Sequence, residues 1–210
     1  MGQTPTVFVV DDDAGIRTSL RLLCETVGLP VRAYASVQQF LDEHDEEKRG
    51  CIILDLRMPG GSGLGLLERL REHGHHMPVI VLTAHGDISQ AVRAMKLGAV
   101  DFLEKTVGDQ ELLDQIQAAL DQDAENYEAQ ARKREFLKRL ETLTDREREV
   151  MDIVIDGLSS KDIAAEFGIS FKTIEAHRAR ILKKMGARSV THLIRLCLEN
   201  GYVGRQPSEV

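Results

Sequence analysis

The sequence predicts an α/β doubly wound fold on a five-stranded parallel sheet, followed by an all-α four-helix domain. Three observations predict it. Short apolar runs recur through the first half of the 210-residue chain, each ending on a polar residue. Helical stripes alternate with those runs. Beyond Leu143 the spacing is helical throughout. Continuous β-branched runs suit strands buried on both faces, and their alternation with helices suits a parallel sheet covered on both sides.

In chain order, Thr6-Val7-Phe8-Val9-Val10 is the first run, and it meets Asp11-Asp12. Ile16, Leu20, Leu23, Cys24 and Val27 form a helical stripe. Ser36 can cap a helix carrying Val37, Phe40 and Leu41. Cys51-Ile52-Ile53-Leu54 runs into Asp55, and Leu64, Leu67 and Leu70 mark a third helix. Pro78-Val79-Ile80-Val81-Leu82 runs into Thr83. A fourth helix is expected to turn Ile88, Ala91 and Met95 inward and Val92, Arg93 and Lys96 outward. Residues 99–104 form the last run and reach Lys105. Leu112, Leu113, Ile116 and Leu120 mark a fifth helix.

Residues 121–141 are charged and contain neither Gly nor Pro. Ala124, Tyr127, Ala131 and Leu137 give weak helical spacing, but the apolar seam breaks at Asp123 and Arg134. A solvated helix continuing the fifth one is expected there, rather than a coiled coil. Thr144-x-x-Glu147 is a capping box ahead of Val150, Met151, Ile153, Val154 and Leu158. Ser159 can cap the next helix, with Ile163, Ala164 and Phe167 inside it. Gly168-Ile169-Ser170 supplies a turn and a new cap. A long helix follows, then a last one carrying Leu193, Ile194, Leu196, Cys197 and Leu198. Helices joined by a Gly-containing turn read as a helix-turn-helix. The expected domains are 1–122, a helical linker over 123–141, a helix-turn-helix domain over 142–204 and a flexible tail over 205–210.

The net charge of −7 hides an asymmetry. Residues 1–123 hold 11 Lys and Arg against 20 Asp and Glu, a balance of −9; residues 142–204 hold 10 against 9, a balance of +1. Lys172, Arg178, Arg180, Lys183, Lys184 and Arg188 cluster late in the chain with Glu175 alone among them. Acidic and basic regions of this kind suit different partners. Cys24, Cys51 and Cys197 lie in apolar patterns, which suits buried thiols in a reducing compartment. No run is long enough to span a membrane. A soluble cytoplasmic protein is expected.

In a parallel sheet, functional groups gather at the carboxyl ends of the strands. Asp11, Asp12, Asp55, Thr83 and Lys105 all stand there. Three crowded carboxylates are unfavourable unless a cation is present or their pKa values rise, and their oxygens suit magnesium. Lys105 can neutralise a transferred phosphoryl group and Thr83 can hydrogen-bond it. Other features take plainer readings. His73, His75 and His76 read as a solvated turn, and His85 as a loop residue without a chemical role. Gly60-Gly61-Ser62-Gly63-Leu64-Gly65 lacks the Lys-Ser/Thr of a phosphate loop.

The set resembles the receiver domain of two-component response regulators. The resemblance rests on Asp11-Asp12, Asp55-Leu56-Arg57-Met58-Pro59, Gly63, Thr83-Ala84, and Phe102 three residues before Lys105. It covers roughly residues 5–122. It implies that a histidine kinase phosphorylates Asp55. It further implies that Asp12, Asp55 and the main-chain carbonyl of Arg57 ligate Mg2+, with Asp11 acting through water. Thr83 and Phe102 are then the switch pair. In one departure, Thr106 stands where the family usually has Pro. A non-proline cis bond costs roughly 2.5–4 kcal/mol, so a trans Lys105–Thr106 peptide is expected.

At about 100° per residue, Ile174, Ile181 and Met185 share one face of the long second-half helix, with Leu182 at its edge. Lys172, Ala176, Ala179 and Lys183 lie opposite, flanked by Thr173 and Arg180. Small and basic side chains there suit entry into a major groove. Leu143-Thr144-x-Arg146-Glu147-x-Glu149-Val150, Lys161-Asp162-Ile163-Ala164 and Ser170-x-Lys172-Thr173-Ile174-Glu175-x-His177 resemble the LuxR-type helix-turn-helix. By that resemblance Lys172, Thr173 and Ala176 face bases. Ser159, Lys161, His177, Arg180 and Lys184 are candidates for phosphate contact or positioning, while Arg178 braces the helix.

The whole chain is similar to the FixJ branch of the NarL/FixJ response regulators. The resemblance implies a transcription regulator that is phosphorylated at Asp55 and dimerises through Val92, Arg93 and Lys96. It binds two-fold related half-sites of double-stranded DNA and has RNA polymerase as a further partner. It is no enzyme beyond assisting its own phosphotransfer and autodephosphorylation. A constitutively dimeric regulator that ignores phosphate is one rival. A metal-dependent aspartyl phosphatase is another, but it needs a second Asp where Arg57 stands.

Overall fold

A computed structural model of the chain describes residues 4–43, 48–59, 61–72, 77–84 and 87–204. The expectations for Gly60, His73, His75, His76, His85 and the tail over 205–210 lie outside the described residues. Two compact units divide the chain, residues 1–128 and 129–210.

The first unit is a doubly wound sheet. Its strands are β1 (Thr6–Val10), β2 (Val31–Tyr34), β3 (Gly50–Leu54), the two-residue β4 (Arg57–Met58) and β5 (Gly61–Ser62), β6 (Val79–Thr83) and β7 (Asp101–Glu104). Its helices are α1 (Ala14–Thr26), α2 (Val37–Glu43), α3 (Gly63–Glu72), α4 (Ile88–Lys96) and the start of α5 (Asp109–Glu141). Five strands pair in parallel in the order β2-β1-β3-β6-β7, while β4 and β5 form a separate antiparallel ribbon. The alternation of the apolar runs sorts their side chains between two cores. Phe8, Val10, Ile52, Leu54 and Val81 pack on one face with residues of α2, α3 and α4. Val7, Val9, Cys51, Ile53, Ile80 and Leu82 pack on the other with α1 and α5. A period of two along each strand explains the division.

The edges depart from the run pattern. β2 exposes Arg32 and was announced by no apolar run, because an edge strand keeps a polar side. β7, the opposite edge, is only half-buried although its sequence reads as a continuous run.

Two expectations need correction. On α4, Ile88 is 85% exposed and Met95 48%, so neither turns inward; Ala94 is the buried residue. A short helix over a sheet places its small residue at the close approach, and the larger apolar side chains are left outside. Ile88, Val92 and Met95 thus make one exposed apolar stripe, with Arg93 and Lys96 beside it. The second correction concerns the linker. Residues 109–141 do form one helix of 33 residues, but the segment is not simply solvated. Asp123 is buried and pairs with Arg49 at 3.2 Å, and the Arg49 guanidinium lies 4.4 Å from the Tyr127 ring centroid. Burial pushes the Asp123 carboxyl above its ordinary value, against the pull of the Gly50 amide and Arg49. Further along, Phe136 and Leu140 are buried in the core of the second unit.

That second unit continues with α6 (Asp145–Ile155), α7 (Ser160–Phe167), α8 (Phe171–Met185) and α9 (Val190–Glu199). The Thr144–Glu147 capping box is formed, as is one between Ser159 and Asp162. Ser170 caps α8 by accepting from the Thr173 amide. Val150, Met151, Val154, Ile163, Ile174 and Ile181 fill the core. All three cysteines are buried free thiols.

Candidate functional site: an acidic pocket and a recognition helix

The order of the sheet reverses at β1 and β3, and a crevice opens outside the carboxyl ends of strands at such a switch point. Val10 is in register with Leu54, so Asp11 and Asp55 leave the sheet side by side. One carboxylate oxygen from each of Asp11, Asp12 and Asp55 lies within 4.8 Å of the others. Asp11 and Asp55 are buried and Asp12 is exposed, which leaves the cluster open to solvent on one side.

Lys105 follows β7 and its amide donates to the Thr83 carbonyl at 2.8 Å. Its Nζ donates to Asp55 Oδ2 at 2.6 Å and stands 2.7 Å from Asp11 Oδ2. Burial pulls the Lys105 ammonium down, but its hydrogen bonds to Asp11 and Asp55 outweigh that and hold it above its usual value. Burial also pushes the Asp11 carboxyl up, and Lys105 only partly offsets it. Asp55 Oδ1 accepts from the Arg57 amide at 3.1 Å. Thr83 is fully buried at the end of β6, and its Oγ1 has no hydrogen-bond partner. Such a hydroxyl costs about 1–3 kcal/mol of desolvation and is a reason to look for an absent ligand. Phe102 is half-buried against the core beneath α4. The Lys105–Thr106 peptide is trans, as no cis bond occurs among the described residues.

Two features of this pocket escaped the sequence reading. Arg17 Nη1 donates to the carbonyls of both Asp11 and Asp12, at 2.7 and 2.8 Å. Asp13 caps α1 through the Gly15 and Ile16 amides, while its own amide donates to Asp11 Oδ1 at 2.9 Å. The acid pair is therefore tied to the first turn of α1. An Asp before an apolar stripe was a visible cap signal; the reach of Arg17 to main-chain atoms was not. Gly63 has a steric reason as well. A Cβ there would fall 2.3 Å from the Asp55 carbonyl oxygen, so only Gly lets α3 start against the loop that follows Asp55.

In the second unit, α8 buries Ile174, Ile181 and Met185 and exposes Lys172, Thr173, Ala176, Ala179, Arg180 and Lys183. Lys161 is exposed near the start of α7. Other expected contacts are already engaged within the unit. The Ser159 hydroxyl bonds the Asp162 carboxylate. His177 is half-buried, with an Nδ1 that has no partner. Lys184 Nζ pairs with Glu147 at 2.6 Å. Arg178 donates to the Ser160 hydroxyl at 2.8 Å, and Ser160 in turn donates to Glu175. This ties α8 to α7, in the bracing manner expected of Arg178.

An acid cluster with a lysine at the switch point, joined to a helix-turn-helix unit, defines a response regulator that binds DNA. Residues 7–117 match the response regulator receiver domain family, and residues 141–197 match the luxR family of bacterial regulatory proteins. The chain belongs to the FixJ-type response regulators. The transcriptional regulatory protein TdiR of Thauera aromatica is 43% identical over 210 residues, covering 98% of this chain and 92% of that protein. The transcriptional regulatory protein FixJ of Azorhizobium caulinodans is 44% identical over 201 residues, covering 96% of this chain and 95% of that protein. The solved structure of the response regulator StyR superposes with a TM-score of 0.82 at 41% identity, over 93% of this chain and 99% of that one. No helix among the described residues is long and apolar enough to cross a membrane.

Proposed function

We propose that a sensor histidine kinase phosphorylates this transcription regulator on Asp55, and that the phosphorylated chain dimerises to grip DNA. The observation that carries the reading is the meeting of three carboxylates, one ammonium and an unpartnered buried hydroxyl at the switch point. The donor set is all oxygen and suits Mg2+, which Asp12, Asp55 and the Arg57 main-chain carbonyl would hold directly and Asp11 through water. Bound there, the cation supplies positive charge against the carboxylates and the phosphoryl oxygens. Asp55 Oδ takes the phosphoryl group. Lys105 then exchanges its bond to Asp55 for one to a phosphoryl oxygen. Thr83 gives its free hydroxyl to another oxygen, and Phe102 changes rotamer as Thr83 moves. The same pocket assists phosphotransfer to Asp55 and its autodephosphorylation, and the chain is otherwise no enzyme.

The exposed stripe of Ile88, Val92 and Met95, with Arg93 and Lys96 beside it, joins two phosphorylated receivers. On α8, Lys172, Thr173 and Ala176 face bases. Arg180, Lys161 and His177 approach phosphates, and Ser159 and Lys184 act as positioning groups. The dimer reads two-fold related half-sites of double-stranded DNA in the cytoplasm and contacts RNA polymerase from there. Treatment with a small phosphodonor and Mg2+ should label Asp55 and raise affinity for a specific duplex, and chelation should abolish both. Undiminished labelling of Asp55→Asn would overturn the assignment.

A further inference from the structure

The C-terminal end of α8 is held from three sides. Arg139, near the end of α5, donates from Nη1 to the carbonyl of Met185 at 3.0 Å. The last carbonyls of a helix have no partner within it, so this bond closes one of them. Glu135, one turn earlier, holds the Arg139 Nε at 2.8 Å and aims the guanidinium. Gly186 then ends the helix at φ 67°, and a Cβ there would fall 2.0 Å from Arg139 Nη1. The left-handed backbone there favours glycine, and its missing Cβ leaves the arginine room to approach as it does. From a second side, Lys184 Nζ donates to the Thr142 carbonyl at 2.9 Å, in the turn between α5 and α6. From a third, it pairs with Glu147, whose side chain is buried and also completes the α6 capping box. That pairing holds the Glu147 carboxyl below its usual value.

We propose that Arg139, Glu147 and Lys184 are positioning residues for DNA recognition, and that together they set the angle at which α8 presents its base-reading end. The inference rests on the reading of α8 as the helix that enters the groove. Its leverage is geometric. Lys172 lies twelve residues before Lys184, a rise of about 18 Å, so a tilt of about 5° at the held end moves Lys172 by roughly 1.5 Å. A shift of that size breaks the geometry of a base contact and barely changes attraction to phosphates, which depends on charge. Lys184 accordingly works through Glu147 and Thr142 and not by binding phosphate. The end of α5 belongs to the machinery that reads DNA.

The test uses the full chain with two duplexes. One is selected by the wild-type protein from a random-sequence pool, and the other is its scrambled counterpart. The readout is the ratio of the two affinities, which is independent of the fraction of protein folded. Glu147→Gln retains a carbonyl oxygen for the capping box but removes the charge that holds Lys184. Arg139→Met removes the bond to Met185 and leaves Lys184 untouched. Each should lower the ratio by about fivefold or more, the share of one misplaced base contact. Arg139→Lys, which can still donate to that carbonyl, should recover most of the loss. If Glu147→Gln raises affinity for both duplexes and steepens the salt dependence, Lys184 is a phosphate ligand and the inference falls. It falls equally if neither Glu147→Gln nor Arg139→Met changes the ratio while Lys172→Ala does. A Lys172→Ala protein with an unchanged ratio would instead remove the underlying reading of α8.

Discussion

Arg17 shows how a single side chain shapes a site it does not enter. Its fork spans two successive carbonyls, so the peptide planes of Asp11 and Asp12 are fixed before any cation arrives. Three like charges within 4.8 Å would otherwise push the β1–α1 loop apart. Arg17→Met should therefore weaken Mg2+ binding, measured by titration calorimetry, by about tenfold, since a hydrogen bond from a charged donor is worth roughly 1.5–3 kcal/mol. Equal affinity in variant and wild type would show that the loop holds its shape unaided. Thr83 is the opposite case. Its position at the end of an apolar run was plain in the sequence, but its orphaned hydroxyl appears only in three dimensions.

At the scale of elements, α4 and α5 are decided by their neighbours. α4 turns Ala94 to the sheet and leaves Ile88, Val92 and Met95 outside, with Val92 47% exposed at the middle of the stripe. Val92→Asp should leave phosphorylation of Asp55 intact while weakening the phosphorylated dimer in sedimentation. A dimer as tight as wild type would rule this face out. On α5, the Arg49–Asp123 pair anchors the helix at the residue before the central strand β3 begins. Removing one partner of a buried pair costs about 3–5 kcal/mol because a charge is left alone. Arg49→Met should lower the urea midpoint of the first unit at pH 7 accordingly. The pH dependence has a definite sign. The folded-state pKa of Asp123 is raised by burial, so the folded protein binds the proton more tightly than the unfolded chain does. Removing Arg49 takes away a pull that lowers this pKa, so the folded pKa of the variant lies higher still. The destabilisation of Arg49→Met is therefore fully present above the variant's folded pKa and shrinks as pH falls from there to the wild-type folded pKa. A loss that grows on acidification would contradict this account.

For the whole molecule, the charge balance predicts weak DNA binding by a single copy. The stretch over residues 142–204 carries a balance of only +1, from 10 basic against 9 acidic residues. Phosphate attraction supplies most non-specific affinity, so a single copy should bind weakly, and pairing should matter more than any change in base contacts. Two copies related by a two-fold axis would place recognition helices in successive major grooves. Lys172→Ala should then lower affinity for a selected duplex about ten- to a hundredfold, the worth of one good base contact, while dimerisation is unchanged. Binding like wild type at matched salt would take α8 out of the groove.

The sequence by itself determined the elements whose signals are local. Apolar runs ending at Asp11, Asp55 and Thr83 announced the buried strands, because a parallel strand inside a sheet is apolar on both faces. With the run reaching Lys105 they announced the pocket at the strand ends, where polarity returns. The capping box at Thr144 and Glu147 and the caps at Ser159 and Ser170 announced the helical unit, because a cap acts within three residues. Only the tertiary structure decided the rest. Arg49 and Asp123 are 74 positions apart, and Arg139 reaches Met185 across 46. Neither pairing leaves a periodic trace, so a helix that looked solvated proved to be packed at both ends. The rotation of α4 was likewise set by how closely Ala94 approaches the core, a distance that exists only once the sheet has formed.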